Sequence, residues 1–140
     1  MTLYPPESSD DVEDDGTMPA NVAELAEAVV GRRIVSVEDN VEFPRKWGGT
    51  THGAVITLDD GRKVRLHDTS DCCAYTELEA FLLHPDKVEH MIMGVGTTDG
   101  FTKWHIYADA GDILELTVGW SCGNPFYYGY GFDIVVEDMP

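Results

Sequence analysis

The stretch Gly53–His67, GAVITLDDGRKVRLH, decides the fold. Two runs of alternating apolar and polar residues flank Asp60-Gly61. Asp-Gly between such runs is a strong hairpin signal, because both positions of a two-residue turn need positive φ. The stretch therefore predicts two antiparallel strands that turn one apolar face toward a core. Lys63, Arg65 and His67 share the opposite face, and we expect them to face solvent.

The chain then enters its densest cluster of reactive side chains, His67-Asp68-Thr69-Ser70-Asp71-Cys72-Cys73-Ala74. Thr76 and Glu79 beyond it fit a capping box, which predicts a short central helix that Pro85 ends. In the alternative, Ser70 or Asp71 caps a longer helix and both thiols lie in its first turn.

The segments on either side complete an α+β pattern. An amphipathic run predicts a helix from Pro19 or Ala20 to Val30, with Gly31 just past its C-terminus. Branched or alternating runs predict further strands at Ile34–Val41, Val88–Val95, Phe101–Ala108, Ile113–Trp120 and Phe132–Val136. We predict an α+β fold in a single domain, residues 18–140. In it, a bent and mainly antiparallel sheet of about six or seven strands carries the N-terminal helix and the short central helix.

The chain is strongly acidic, with 26 acidic and 9 basic residues among 140 and a net charge of −17. Glu7–Asp15 holds six acids and no base, which predicts an acidic, disordered tail over residues 1–17. Direct nucleic-acid binding is disfavoured because it relies on Lys and Arg, and an anionic membrane repels the same surface. The excess of acidic residues then either keeps the protein soluble or binds a partner protein with a basic surface.

The cysteines Cys72, Cys73 and Cys122 do not encode a disulfide framework, since their number is odd and two are adjacent. This favours a reducing compartment. The N-terminus lacks the basic and apolar segments of a signal peptide, and no apolar run approaches the roughly 18 residues of a membrane span. We expect a cytoplasmic location.

A metal site at the cluster would need a Cys3His zinc set, made of His67, Cys72, Cys73 and Cys122. The spacing argues against it, because adjacent cysteines seldom both reach one tetrahedral ion. His67 also alternates outward with Lys63 and Arg65. We therefore expect no bound metal and no cofactor.

A nucleophilic thiol is the other reactive interpretation of the cluster. Cys72 or Cys73 would attack, with His67 or His105 as the base and Asp71 as the orienting group. Neighbouring carboxylates oppose this, because negative charge disfavours a thiolate. The structural interpretation is favoured: Asp71 caps backbone amides and one cysteine packs inward. We expect no catalytic residue.

Two loops have the composition of binding loops. Trp47 stands beside two glycines and two bases, and the segment 121–131 carries Tyr127, Tyr128 and Tyr130 among glycines. Exposed aromatic side chains on loops provide contact area at low entropic cost. We name these four residues as the candidate binding residues, with packing against the sheet as the alternative.

Several short motifs resemble those of a family of small, uncharacterised proteins encoded mainly by actinobacteriophages and related bacteria. They are Asp71-Cys72-Cys73 after the hairpin, the Trp104-His105-Ile106-Tyr107 strand, and the late loop with Ser121 and Tyr127-Tyr128. The resemblance spans Ile34 to Val136, while Cys122 and Pro125-Phe126 depart from the family pattern. It implies a phage-type accessory protein in a bacterial cytoplasm.

The function predicted from charge, motifs and resemblance is a non-enzymatic, acidic protein-interaction module. It would be a phage-encoded accessory or host-modulating protein, and its partner a host or phage protein with a basic surface. The alternatives are a thiol- or zinc-dependent enzyme centred on Asp71-Cys72-Cys73 and a structural component of the virion.

Overall fold

The computed structural model describes residues 17–44, 49–71, 74–121 and 131–137. These residues form one helix and nine strands. The elements are α1 (Thr17–Val29), β1 (Ile34–Pro44), β2 (Thr50–Leu58), β3 (Lys63–His67), β4 (Thr69–Asp71), β5 (Ala74–Leu83), β6 (Gly94–Thr98), β7 (Lys103–Ala108), β8 (Gly111–Ser121) and β9 (Asp133–Glu137).

The strands form two antiparallel sheets. The first sheet has the order β1-β2-β3-β9 and the second has the order β4-β5-β8-β7-β6. The chain passes from the first sheet to the second at Asp68, between β3 and β4, and returns through β9. The largely β architecture differs from the single bent sheet that we predicted, while the one domain and the antiparallel pairing are confirmed.

The core contains buried side chains from both sheets and from α1. Ile56, Val64 and Leu66 come from the first sheet. The second sheet contributes alternate residues of β7 and β8, among them Trp104, Ile106, Leu114, Leu116 and Val118. Leu25 and Val29 of α1 pack on the same cluster. Burial of such side chains is worth about 1.5–3 kcal/mol each, so this cluster is the main source of stability.

The N-terminal helix is confirmed and begins at Thr17, two residues earlier than the predicted start. Asn21 fixes it against the last strand, because its amide both donates to the Phe132 carbonyl and accepts from the Phe132 amide, each at 2.9 Å. Gly31 follows the helix at φ 87°, as its predicted capping position requires.

The predicted central helix is wrong, because the segment after the cluster is strand β5. Its residues pair with β8 from Tyr75 to Leu83. Thr76, the predicted cap, is instead buried, and its hydroxyl accepts the Gly131 amide at 2.6 Å. Pairing in the middle of a sheet outweighed a local capping signal, and Pro85 follows a strand instead of ending a helix.

The Asp60-Gly61 hairpin is confirmed as the join between β2 and β3, with a longer turn than predicted. Only Gly61 has positive φ, at 90°, and the Leu58 amide donates to the Arg62 carbonyl at 2.9 Å. The turn therefore has three residues, a form in which one glycine takes the left-handed position. The predicted strand Val88–Val95 is largely wrong, since β6 begins only at Gly94.

Candidate functional site

Most of the predicted site residues lie outside the described residues: Trp47, Cys72, Cys73, Cys122, Tyr127, Tyr128 and Tyr130. The thiol, zinc and aromatic-loop interpretations therefore stay predictions. Asp71 is described in its backbone alone, where it ends β4 and pairs with Ala74 at the start of β5. Among the predicted catalytic and metal residues, this leaves His67 and the candidate base His105 as the side chains whose surroundings can be described.

The His67 ring lies against the outer face of the first sheet. It stacks on Phe43, with ring centroids 4.0 Å apart and planes 14° apart, and its Nδ1 lies 3.9 Å from Asp133 Oδ2. Its side chain is only 15% exposed, so the predicted solvent exposure is wrong for His67 and right for Lys63. Its Nε2 is buried without a hydrogen-bond partner among the described residues.

The pKa of His67 is lowered from its usual value, chiefly by burial, which disfavours the charged ring. The Asp133 carboxylate acts in the opposite direction, and the Arg65 guanidinium lowers the pKa further. The His67 ring is packed into this face of the sheet, because Phe43 covers one side of the ring plane.

A small acidic cleft lies where the two sheets approach each other. We call acidic cleft the depression lined by Asp39, Asn40, His52, Gly53, Asp68, Leu78 and Glu79, about 70 Å³ in volume. Asp68 forms part of its wall and accepts the Leu78 amide on Oδ1 at 3.0 Å. Three carboxylates thus come together from β1, from the β3–β4 connection and from β5.

The pKa of Asp68 is raised, chiefly because burial disfavours its charge. The Leu78 amide lowers the pKa, nearby Glu77 raises it, and His52 lowers it. In the central cluster, the Asp68 carboxylate accepts a backbone amide, a capping role that we had predicted for Asp71.

Backbone irregularities on β1 and β2 shape this cleft. The pairing of β1 with β2 shifts register between Glu38 and Val41, and Asn40 within the shift has φ 56°. Gly53 on β2 approaches β3 so closely that a Cβ there would overlap the Leu66 carbonyl oxygen. Only glycine fits at this position.

A second polar cluster lies on the outer face of the second sheet, the face opposite its core side chains. His105 of β7 is directly across from Glu115 of β8, and His105 Nδ1 lies 3.0 Å from Asp112 Oδ2. His105, Asp112 and Glu115 each offer a nitrogen or oxygen atom, and these atoms lie within 4.8 Å of one another. Among the described residues, this is the one group of three such side chains that could hold a metal ion.

His84 extends this group. Its Nε2 lies 2.7 Å from Glu115 Oε2, and its backbone amide donates to the Ile113 carbonyl at 2.8 Å. We call His84, His105, Asp112 and Glu115 the His–carboxylate cluster. The two inner members are largely buried, with side chains 9% exposed for His105 and 17% exposed for Asp112.

A bulge in β8 assembles the cluster. In a regular strand, residues three apart such as Asp112 and Glu115 point to opposite faces. Here the register shifts, so that Asp112 is across from Tyr107 while Leu114 is across from Ile106. Ile113 and Leu114 both enter the core, and the two carboxylates flank them on the outer face.

Of the His–carboxylate cluster, only His105 was predicted from the sequence as a site residue, as a possible base for a cysteine. Its ring nitrogens instead contact Asp112 and the Thr98 hydroxyl, the latter at 2.9 Å. The alternation of apolar and polar residues along Lys103–Ala108 and Gly111–Ser121 indicates that His105 and Glu115 lie on the same outer face of the sheet. The bulge that adds Asp112 left no such signal.

These features define a small acidic domain of two antiparallel sheets with one N-terminal helix. Residues 27–134 match the family described as a domain of unknown function (DUF7448), which is more than half of the chain, and the protein therefore belongs to that family. This agrees with the predicted membership of an uncharacterised family. No curated protein and no solved structure matches the chain. No helix in the described part of the chain is long and apolar enough to cross a membrane.

Proposed function

We propose that this protein is a non-enzymatic interaction module that binds a partner protein with a basic surface, and that the acidic cleft receives a Lys or Arg side chain of that partner. The observation that supports this is the gathering of Asp39, Asp68 and Glu79 at one cleft. A cationic side chain placed there relieves their mutual repulsion.

Five of the bases that the structure describes are paired away from the cleft. Five ion pairs join Lys or Arg to an acid among the described residues, and they use Asp59, Asp60, Asp86 and Glu137 as acids. None of these acids lines the acidic cleft. His52 is the one cleft residue that carries positive charge when protonated, and it already pairs with Glu42 at 3.5 Å.

The size of the cleft suits a single side chain. A volume of about 70 Å³ is room for an ammonium or part of a guanidinium group, and too little for a cofactor, whose pockets are typically several hundred Å³. Opposite charges across an interface accelerate association and select partners more than they add affinity. Binding should therefore weaken steeply as salt rises.

The test is affinity capture from an actinobacterial lysate with two matched variants. The cleft variant carries Asp39→Asn and Glu79→Gln in the cleft wall and Glu77→Gln near Asp68, and it leaves the structural Asp68 in place. The control carries Glu24→Gln, Glu27→Gln and Glu89→Gln, three exposed acids away from the cleft. Both variants lose the same net charge.

We expect the parent and the control to capture the same protein at low salt, the cleft variant to lose it, and high salt to release it. Capture that is equal for all three chains would contradict a role of the cleft. The absence of any captured protein at every salt concentration would contradict the interaction module itself.

The resemblance to phage-encoded proteins also provides a proposal for where the protein acts. We propose a phage-encoded accessory or host-modulating protein that acts in the bacterial cytoplasm, with a virion component as the alternative. Mass spectrometry of purified phage particles separates the two, because an accessory protein is absent from the particle and a structural component is present in stoichiometric amount.

A further inference from the structure

The His–carboxylate cluster has the donor set of a metal site. Imidazole nitrogens and carboxylate oxygens together suit divalent transition ions, whereas Mg²⁺ and Ca²⁺ prefer oxygen alone. Two ligands of one zinc ion, each about 2.1 Å from it, can be at most about 4.2 Å apart. The donor atoms of His105, Asp112 and Glu115 lie within 4.8 Å of one another, so small rotations of these side chains would bring them to ligand distance.

The charges of the cluster also favour a divalent ion. Asp112 and Glu115 are half-buried carboxylates on one face, where they pair with His105 and His84 respectively. Lys103, on the same face of β7, donates to the Thr117 hydroxyl at 2.8 Å. Two carboxylates gathered on one face favour a divalent cation, whose charge balances theirs.

The position of Thr98 prepares His105 for coordination. Metal-bound histidines usually give the proton of their second nitrogen to a neighbouring oxygen. The Thr98 hydroxyl lies 2.9 Å from His105 Nε2 and can accept that proton. Nδ1 lies 3.0 Å from Asp112 Oδ2 and donates its proton to that carboxylate oxygen, so an ion bound on this side would take the place of the proton.

We propose that His105 Nδ1, Asp112 and Glu115 bind one divalent transition ion of the zinc type, with His84 orienting the Glu115 carboxylate through its hydrogen bond. This site lies on the outer face of the second sheet and is independent of the acidic cleft. Its donors come from β7 and β8, so the ion would fasten these two neighbouring strands, and His84 just after β5 would hold one of the ligands.

The experiment titrates the full chain, stripped with chelator, with Zn²⁺ by calorimetry and with Co²⁺ by absorption spectroscopy. The variants Asp112→Asn and Glu115→Gln remove a ligand charge and preserve shape. Asp109→Asn is the matched control, because Asp109 also lies near a histidine, 3.7 Å from His90 Nδ1, and belongs to no group of three ligands within the described part of the chain. Urea unfolding without metal checks that each variant folds.

We expect one ion per chain, a Co²⁺ spectrum of nitrogen and oxygen ligands, and affinity that falls about tenfold or more in both cluster variants. The control should bind as the parent does. Melting temperature should rise with metal concentration in the parent and the control only.

Three results would overturn the proposal. They are no uptake of metal, equal uptake by Asp112→Asn, Glu115→Gln and the parent, or a Co²⁺ spectrum dominated by sulfur charge transfer. The last result would assign the ion to the cysteines. If Asp112→Asn fails to fold, the comparison of Glu115→Gln with the control decides alone.

Discussion

At the residue scale, His67 illustrates how a polar residue becomes part of a packed face. Gly53, its cross-strand neighbour, has no side chain, and Phe43 of β1 offers a flat surface on which the imidazole stacks. The Arg65 guanidinium lies 5.3 Å from the centre of the Phe43 ring and pairs with Glu137. Phe43 is buried on an outer face as a result.

The first prediction concerns the pH dependence that His67 confers. Because burial lowers its pKa in the folded protein, the unfolded chain binds more protons as pH falls below the usual value of 6.5. The contribution of His67 to the free energy of unfolding is therefore complete above pH 6.5 and decreases as the pH falls toward the pKa of His67 in the folded protein. His67→Phe keeps the stacking and should remove this decrease, as measured by urea unfolding between about pH 7.5 and 5.

His90→Gln is the control for this prediction, since His90 is an exposed histidine away from Phe43. It should retain the decrease of the parent. An unchanged slope in His67→Phe would show that other groups produce the pH dependence. At neutral pH the Phe variant should not be less stable, because it removes a buried nitrogen that lacks a partner among the described residues.

The second prediction separates the hydrogen bond of Asp68 from its charge. Asp68→Ala leaves the Leu78 amide without its acceptor and should cost about 1–3 kcal/mol of unfolding free energy. Asp68→Asn keeps an oxygen at that position and should cost less than about 1 kcal/mol. Equal losses in both variants would show that the hydrogen bond is not what Asp68 contributes.

The sign of the pH effect of Asp68 is opposite to that of His67. Its raised pKa means that the folded chain keeps a proton that the unfolded chain releases. The parent therefore loses stability as pH rises from 3.8 through the folded pKa, and Asp68→Asn should lack this loss. Unfolding curves across the acid range measure it.

At the element scale, the sequence predicted what local patterns control. The β2–β3 hairpin follows from Asp60-Gly61 and two alternating runs, and α1 follows from an amphipathic run closed by Gly31. The segment Thr76–Leu82 carried both a capping box and a pattern compatible with a strand. This segment is a strand because it pairs with β8, about 40 residues away in the sequence. A local sequence pattern does not reveal a pairing partner at that distance.

Bulges account for the site residues that the sequence did not reveal. The register shift in β8 places Asp112 with Glu115, and a second shift in β5, between Leu78 and Ala80, falls at Glu79 of the acidic cleft. Each shift changes which face a side chain takes, so simple alternation misplaces every residue beyond it. His105 was named from the sequence only as a candidate base for a cysteine, and its place beside Asp112 and Glu115 was not predicted.

The third prediction tests the close approach of β2 to β3. Gly53→Ala would place a methyl group against the backbone oxygen of Leu66, which cannot move without breaking the sheet. We expect a loss of about 3 kcal/mol or more. Gly119→Ala is the matched control, because the atom it meets is the end of the flexible Glu79 side chain.

Urea unfolding of the two alanine variants gives the comparison. Gly119→Ala should remain within about 1 kcal/mol of the parent, as surface substitutions usually do. A small loss in Gly53→Ala would mean that β2 and β3 can separate at this point. The hairpin would then be less rigid than its close packing implies.

At the scale of the whole molecule, two apolar sheet faces and one helix form a single core, while the net charge of −17 lies on a chain of only 140 residues. Such a charge keeps a protein soluble and opposes its compact state through self-repulsion. The described ion pairs are mostly exposed, and exposed pairs contribute about 0–1 kcal/mol each. Repulsion should therefore outweigh attraction in the summed electrostatics.

The fourth prediction follows from that balance: added NaCl should raise the melting temperature. Screening shortens the range of charge interactions to about 10 Å at 0.1 M salt and about 3 Å at 1 M, so the many long-range repulsions weaken before the few close pairs do. The Glu24→Gln, Glu27→Gln and Glu89→Gln chain carries less charge and should respond less. A melting temperature that falls with salt in the parent would mean that its ion pairs, in spite of their exposure, stabilise the fold more than its excess of acid destabilises it.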